Sequence, residues 1–91
     1  MQRINSYIGF AIKSNHIIKG IDDLTKTRKK VSLILVSNEL KGNSKDKVQQ
    51  LSNSKNIPLK EIENQIFIDL NLIGVKILGI TDPNLAKAII N

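Results

Sequence analysis

The sequence predicts an α/β protein, a three-layer α/β/α sandwich with a small mixed central sheet. Two short runs, Val31–Val36 and Val75–Ile80, read as strands, and Leu33-Ile34-Leu35-Val36 in the first and Ile77, Leu78 and Ile80 in the second are too apolar to face water on either side. Stretches with apolar residues at helical spacing precede and follow them. The two kinds of segment alternate, separated by short polar breaks, which implies helices on both faces of a sheet. The 91 residues make one domain, 1–91, large enough for a single core.

Ile4, Tyr7, Ile8, Ala11 and Ile12 recur at helical spacing, so residues 4–13 read as an amphipathic helix with Gly9 tolerated inside it. Ser14-Asn15-His16 ends it, with Asn15 as a left-handed cap and His16 as a surface turn residue. Ile17-Ile18 is a short strand. Residues 21–30 are a second helix, and Val31 to Val36 the first buried strand. After a polar loop from Ser37 to Asn43, Ser44 precedes a third helix with Val48 and Leu51 on its inner face. Lys55-Asn56-Ile57-Pro58 stops that helix and leads into a strand, Leu59 to Ile62. Asn64 caps a short helix through Leu70. Val75 to Ile80 is the second buried strand. Thr81-Asp82-Pro83 starts the last helix, with Leu85, Ala86, Ile89 and Ile90 as its buried stripe.

Composition narrows the function. The chain has no cysteine, so disulfides, iron–sulfur clusters and thiolate zinc sites are excluded. One histidine cannot build a transition-metal site unaided. No cofactor and no metal are therefore expected. Aromatic residues make up 3 %, too few for base-stacking platforms. No apolar run approaches the roughly 20 residues that span a bilayer. The start of the chain has no long apolar segment with a cleavage site, so a cytoplasmic location is expected. No nucleophile motif accompanies the single histidine and no catalytic spacing appears, so no catalytic residue, enzyme activity or small-molecule substrate is expected.

The formal net charge is +6, and it is unevenly placed. Residues 1–47 hold ten Lys/Arg against four Asp/Glu, whereas residues 48–91 hold four of each. A basic half suggests a polyanionic partner. The excess centres on Gly20-Ile21-Asp22-Asp23-Leu24-Thr25-Lys26, with Lys13, Lys19, Arg28, Lys29 and Lys30 close by. A glycine-led helix start can bring unpaired backbone N–H groups close to a phosphate. A purely structural account of the same residues also exists. Acids in the first turn and bases in the last complement the helix dipole, and Asp22 and Lys26 can pair across one turn for about 0.2–0.5 kcal/mol.

The order of elements and several strings resemble the YlxQ-like proteins, a bacterial branch of the ribosomal protein family whose other members bind kink-turn RNA. Ile8-Gly9-Phe10-Ala11 matches the opening helix. Gly20-Ile21-Asp22-Asp23-Leu24-Thr25-Lys26 stands where the RNA binders carry Gly-x-Asn-Glu-x-x-Lys. Leu33-Ile34-Leu35-Val36 matches the strand that follows, Asn56-Ile57-Pro58 the approach to the next strand, and Ile80-Thr81-Asp82 the start of the last helix. The resemblance implies that Gly20, Asp22, Asp23 and Lys26 face sheared G·A pairs at an RNA bend. It also implies that Leu72, Ile73, Gly74 and Val75 form an apolar loop over an extruded nucleotide. Asp22 departs from the family's asparagine. A carboxylate accepts hydrogen bonds but cannot donate, and it adds a charge that repels phosphates. On that ground Asp22→Asn is expected to tighten kink-turn binding about tenfold, near 1.4 kcal/mol.

The expected function is thus binding of structured RNA, a kink-turn or related bend, by a ribosomal or ribosome-associated protein acting as a monomer. Ribosomal RNA is a candidate partner, and no membrane is expected. The expected contact residues are Lys13, Lys19, Gly20, Asp22, Asp23, Lys26, Arg28, Lys30, Ile73 and Gly74. The alternative is a non-catalytic protein–protein interaction module that has lost the kink-turn contacts.

Overall fold

Apolar runs that leave water must pair every backbone N–H and C=O, and in this chain they pair with one another. The computed structural model describes residues 3–90. Through them run α1 (Arg3–Lys13), β1 (Ile17–Lys19), α2 (Ile21–Lys26), β2 (Leu33–Ser37), α3 (Asn43–Lys55), β3 (Leu59–Ile62), α4 (Asn64–Asp69), β4 (Ile77–Ile80) and α5 (Pro83–Ile90). The strands form one sheet in the order β1-β4-β2-β3. β2 and β3 are parallel, and β4 is antiparallel to both β1 and β2. The two most apolar strands are therefore neighbours at the centre, with Leu35 opposite Leu78 and Val36 opposite Ile77.

Side chains alternate across a strand, and the core divides accordingly. Leu33, Leu35, Ile62, Leu78 and Ile80 pack with Ile8 and Ala11 of α1, Ile66 and Phe67 of α4, and Ala86 and Ile89 of α5. Ile34, Val36 and Ile77 pack on the other face with Leu24 of α2 and Val48 and Leu51 of α3. This is the expected three-layer α/β/α sandwich. Gly79 has a packing reason: a Cβ there would collide with the Leu24 side chain, so the glycine lets α2 lie close on β4.

Helix ends follow local chemistry. Asn15 and Asn56 adopt left-handed backbone, with φ of 59° and 56°. Each lies in a Schellman pattern: His16 N–H donates to Ala11 O and Ile57 N–H to Ser52 O. His16 is exposed, and its Nδ1 lies 2.7 Å from Ser14 Oγ. Asp82 Oδ1 accepts from the N–H groups of Asn84 and Leu85, which caps α5.

The second helix is shorter than predicted. It stops at Lys26, and Thr27 is extended at φ −63° and ψ 143°. A helix continued to residue 30 would stack Lys26, Lys29 and Lys30 at i, i+3 and i+4, where like charges repel. Val31 must also turn in to join the core beside Leu24. Thr27 Oγ1 accepts from Lys29 N–H instead, which sets an extended path. Two strands shift as well. β2 is Leu33–Ser37, and β4 starts at Ile77 because Val75 N–H closes a turn onto Leu72 O. α3 begins at Asn43 behind Gly42, ahead of Ser44. Asn64 is the first residue of α4 and Glu63 its cap, because the Asn64 side chain is engaged elsewhere.

Candidate nucleic-acid interface

β1, β2 and β3 run in the same direction, so their carboxyl ends share one end of the sheet. α2, α3 and α4 each begin there, directly after those strands. β4 enters from the same end, behind the turn at residues 72–75. In open α/β sheets the crevice outside the carboxyl ends of the strands is the usual place for a ligand.

Gly20 makes the β1–α2 connection. Its φ of 85° and ψ of 158° lie in a region essentially restricted to glycine. Its N–H donates to Ile77 O at 3.0 Å, and its C=O accepts the first helical bond from Leu24 N–H at 3.2 Å. No side chain caps this helix start. On the other side, Leu72 is buried, Ile73 is 75 % exposed and Gly74 has a φ of 84°. A positive φ at the third residue, with Val75 N–H bonded to Leu72 O, is the pattern of a type II turn. It pushes Ile73 outward. Between the two connections lies an open cleft of about 390 Å³ lined by Lys19, Gly20, Leu40, Ser44, Gly74, Val75, Lys76 and Ile77. The space beside both glycines is open.

A polar cluster forms the adjoining wall. Ser37 Oγ, itself buried, donates to Asn64 Oδ1 at 2.7 Å and accepts from Glu39 N–H at 3.0 Å. Lys76 Nζ donates to Asn64 Oδ1 at 2.8 Å and pairs with Glu39 Oε1 at 3.1 Å. Asn38 Oδ1 accepts from Asn64 N–H. The cluster ties the start of β4 to the start of α4 and the end of β2. The Lys76–Glu39 pair is open to water, so by itself it contributes under about 1 kcal/mol.

The structure distributes the predicted contact residues over several surfaces. Lys19, Gly20 and Gly74 meet in the cleft, with Ile73 next to it in the turn. Asp23 and Lys26, with Lys19 and Lys29, line a different groove of about 570 Å³ beside β1. Asp22 lines a third depression, between α2 and α3, with Thr25, Lys47 and Gln50. Lys13 lies on α1 beside Ser6, Gly9 and Phe10. Arg28 and Lys30 are exposed on the segment after α2 and line none of these hollows. Lys76, Leu40 and Ser44 were missed. A lysine directly before an apolar strand, 37 residues from the glutamate it pairs with, carries no local signal.

No family profile matches this chain, and none of the curated proteins does. The chain is similar to a solved structure described as a protein with unknown function from Bacillus halodurans C. The two align with a TM-score of 0.80 over 99 % of this chain and 95 % of that one, at 18 % identity. At that identity the likeness speaks to the fold alone. Among the described residues no helix is long and apolar enough to cross a membrane.

Proposed function

We propose that this protein binds structured RNA at the carboxyl end of its sheet, as a YlxQ-like member of the kink-turn-binding ribosomal protein family. One observation carries the reading. Lys19 and Gly20, and Gly74 more than fifty residues later, line the same cleft. These are the two segments in which the resemblance places RNA contacts. The cleft offers apolar walls from Leu40, Val75 and Ile77, two lysines, and backbone at glycines with nothing beside it. A folded RNA bend presents the matching features, unstacked bases next to closely spaced phosphates. In this reading the protein is a non-catalytic, cytoplasmic, ribosome-associated monomer.

The test is a titration with one kink-turn RNA and one straight duplex over a range of salt. Neutralising about 4–6 phosphates gives a log–log slope of about −3 to −5. Lys19→Ala should weaken binding more than Lys87→Ala, which alters an exposed residue on α5. Lys60 is a poor control, because its Nζ holds Ile89 O at the end of α5. Equal losses for Lys19→Ala and Lys87→Ala, or no preference for the kink-turn, would sink the proposal. In that event the interaction-module reading takes its place.

A further inference from the structure

β1 is an edge strand with one neighbour, β4. Its pairing fixes which backbone groups face away from the sheet. Thr81 N–H donates to His16 O and Gly20 N–H to Ile77 O, so the His16 C=O, the Gly20 N–H and, between them, both backbone groups of Ile18 point at β4. The N–H and C=O of Ile17 and Lys19 therefore point outward. They open into the groove of about 570 Å³ that runs beside β1. The groove is two-sided. Ile12 and Ile17 line it on the α1 face of the sheet. Asp23, Lys26, Thr27 and Lys29 line it on the α2 side, and Lys19 adds a further cation.

We infer that this groove binds an extended acidic peptide segment of a partner protein, added to the sheet as a strand beside β1. The backbone groups decide between occupants. A free strand edge offers donors and acceptors alternately, which matches another peptide backbone. A phosphate chain has acceptors only, so the outward C=O groups of Ile17 and Lys19 would stay unpaired against it. A second copy of this chain would bring its own lysines against these, and like charges across an interface oppose pairing. On the α2 side two lysines, Lys26 and Lys29, against one aspartate favour carboxylates on that side of the added strand, whereas Lys19 shares the face of Ile17. Ile12 and Ile17 favour apolar side chains on the α1 side. The two requirements alternate with the two-residue period of a strand. This surface is separate from the cleft proposed for RNA and shares only Lys19 with it.

The test uses the whole chain without RNA. The probe is an acetylated, amidated seven-residue peptide of alternating glutamate and valine, titrated into ¹⁵N-labelled protein. The expected result is selective movement of the Ile17 and Lys19 amide signals and slower hydrogen exchange at both. The same peptide with alternate backbone nitrogens methylated, in either register, should bind about tenfold more weakly in the register that removes the inward N–H groups. The double variant Lys26→Glu with Lys29→Glu alters two exposed residues and leaves the core alone. It should lose about tenfold in affinity for the glutamate peptide and gain affinity for the lysine–valine counterpart. Sedimentation without peptide should show a monomer. No movement at Ile17 and Lys19 overturns the inference. So does equal binding of both methylated peptides, self-association through this edge, or an RNA that moves these amides when the peptide does not. The RNA titration above can succeed or fail independently of all of these.

Discussion

The two ends of the sheet turn the chain with different residues. At the carboxyl end Gly20, Gly42 and Gly74 turn the chain, all with positive φ, and one asparagine, Asn71 at φ 61°, closes α4 just before the 72–75 turn. At the opposite end, where α1 and α3 hand over to β1 and β3, it is done by Asn15 and Asn56. Asparagine tolerates ordinary left-handed backbone, and Asn56 sits there at φ 56° and ψ 45°. Gly20 and Gly42, with ψ of 158° and −144°, occupy backbone that side chains avoid. The asparagine turns also complete the helix ends by hydrogen bonds, whereas the glycine-led starts of α2 and α3 have no side-chain cap. One end of the molecule is sealed. The other keeps strained, open backbone beside a cleft, which is where a ligand gains most from close approach.

The largest effect should come from Gly20→Ala. The space beside Gly20 is open, so the cost is conformational and amounts to about 1–3 kcal/mol. Urea unfolding measures it. A variant as stable as the natural protein would show that the carboxyl end is not strained, and the contrast between the ends would fail. Ser37→Ala comes next. Its hydroxyl is buried and serves both Asn64 and Glu39 N–H, so its loss should cost about 1–2 kcal/mol. The same variant loosens the wall of the cleft, and RNA affinity should fall with it. Stability falling with no change in RNA affinity would separate the cluster from the site.

A smaller effect, of opposite sign, belongs to the sealed end. Asn56→Gly relieves a side chain held in left-handed backbone and should stabilise by about 0.5–1 kcal/mol. Asn15→Gly should do the same within error. Destabilisation by either would mean that the asparagine side chain contributes more than its backbone costs.

Much of the fold was legible because the signals are local. Leu33–Val36 and Ile77–Ile80 are apolar enough that only a central position suits them, and β3 lies where Ile57-Pro58 predicts it, at Leu59–Ile62. Asn15 in its left-handed turn follows from the side chain alone. The end of α2 was not legible, because Thr27 to Lys30 contains no glycine, proline or asparagine to mark a stop. What stops the helix is charge repulsion and the need to bring Val31 beside Leu24. The site was legible in its types more than in its grouping. Gly20 and Gly74 announce turns, but only the antiparallel entrance of β4 puts them on one cleft. Asp22 and Asp23 are adjacent in sequence, and a helix sends neighbours to different sides, about 100° apart. They line different hollows.

That separation sets the smallest and most discriminating prediction. The family resemblance makes Asp22 a reader of base edges, with Asp22→Asn tightening a kink-turn about tenfold. The structure puts Asp22 in the depression between α2 and α3, with Lys47 in the same lining, and leaves it out of the Gly20–Gly74 cleft. In the proposed RNA reading, an Asp22 placed there would count only as one negative charge among the exposed residues. Asp22→Asn should then raise affinity for a kink-turn and for a straight duplex by the same small factor, and the gain should shrink as salt screens it. Stability should stay within about 0.5 kcal/mol, since asparagine loses part of the carboxylate's attraction to the helix start and little else. Both proteins are titrated against both RNAs at two salt concentrations. A tenfold gain confined to the kink-turn would place Asp22 at the bases after all, and the RNA surface would extend over the start of α2 into that depression. No gain with either RNA would mean that this flank of α2 lies outside the reach of bound RNA, and that contact is limited to the cleft and the 72–75 turn.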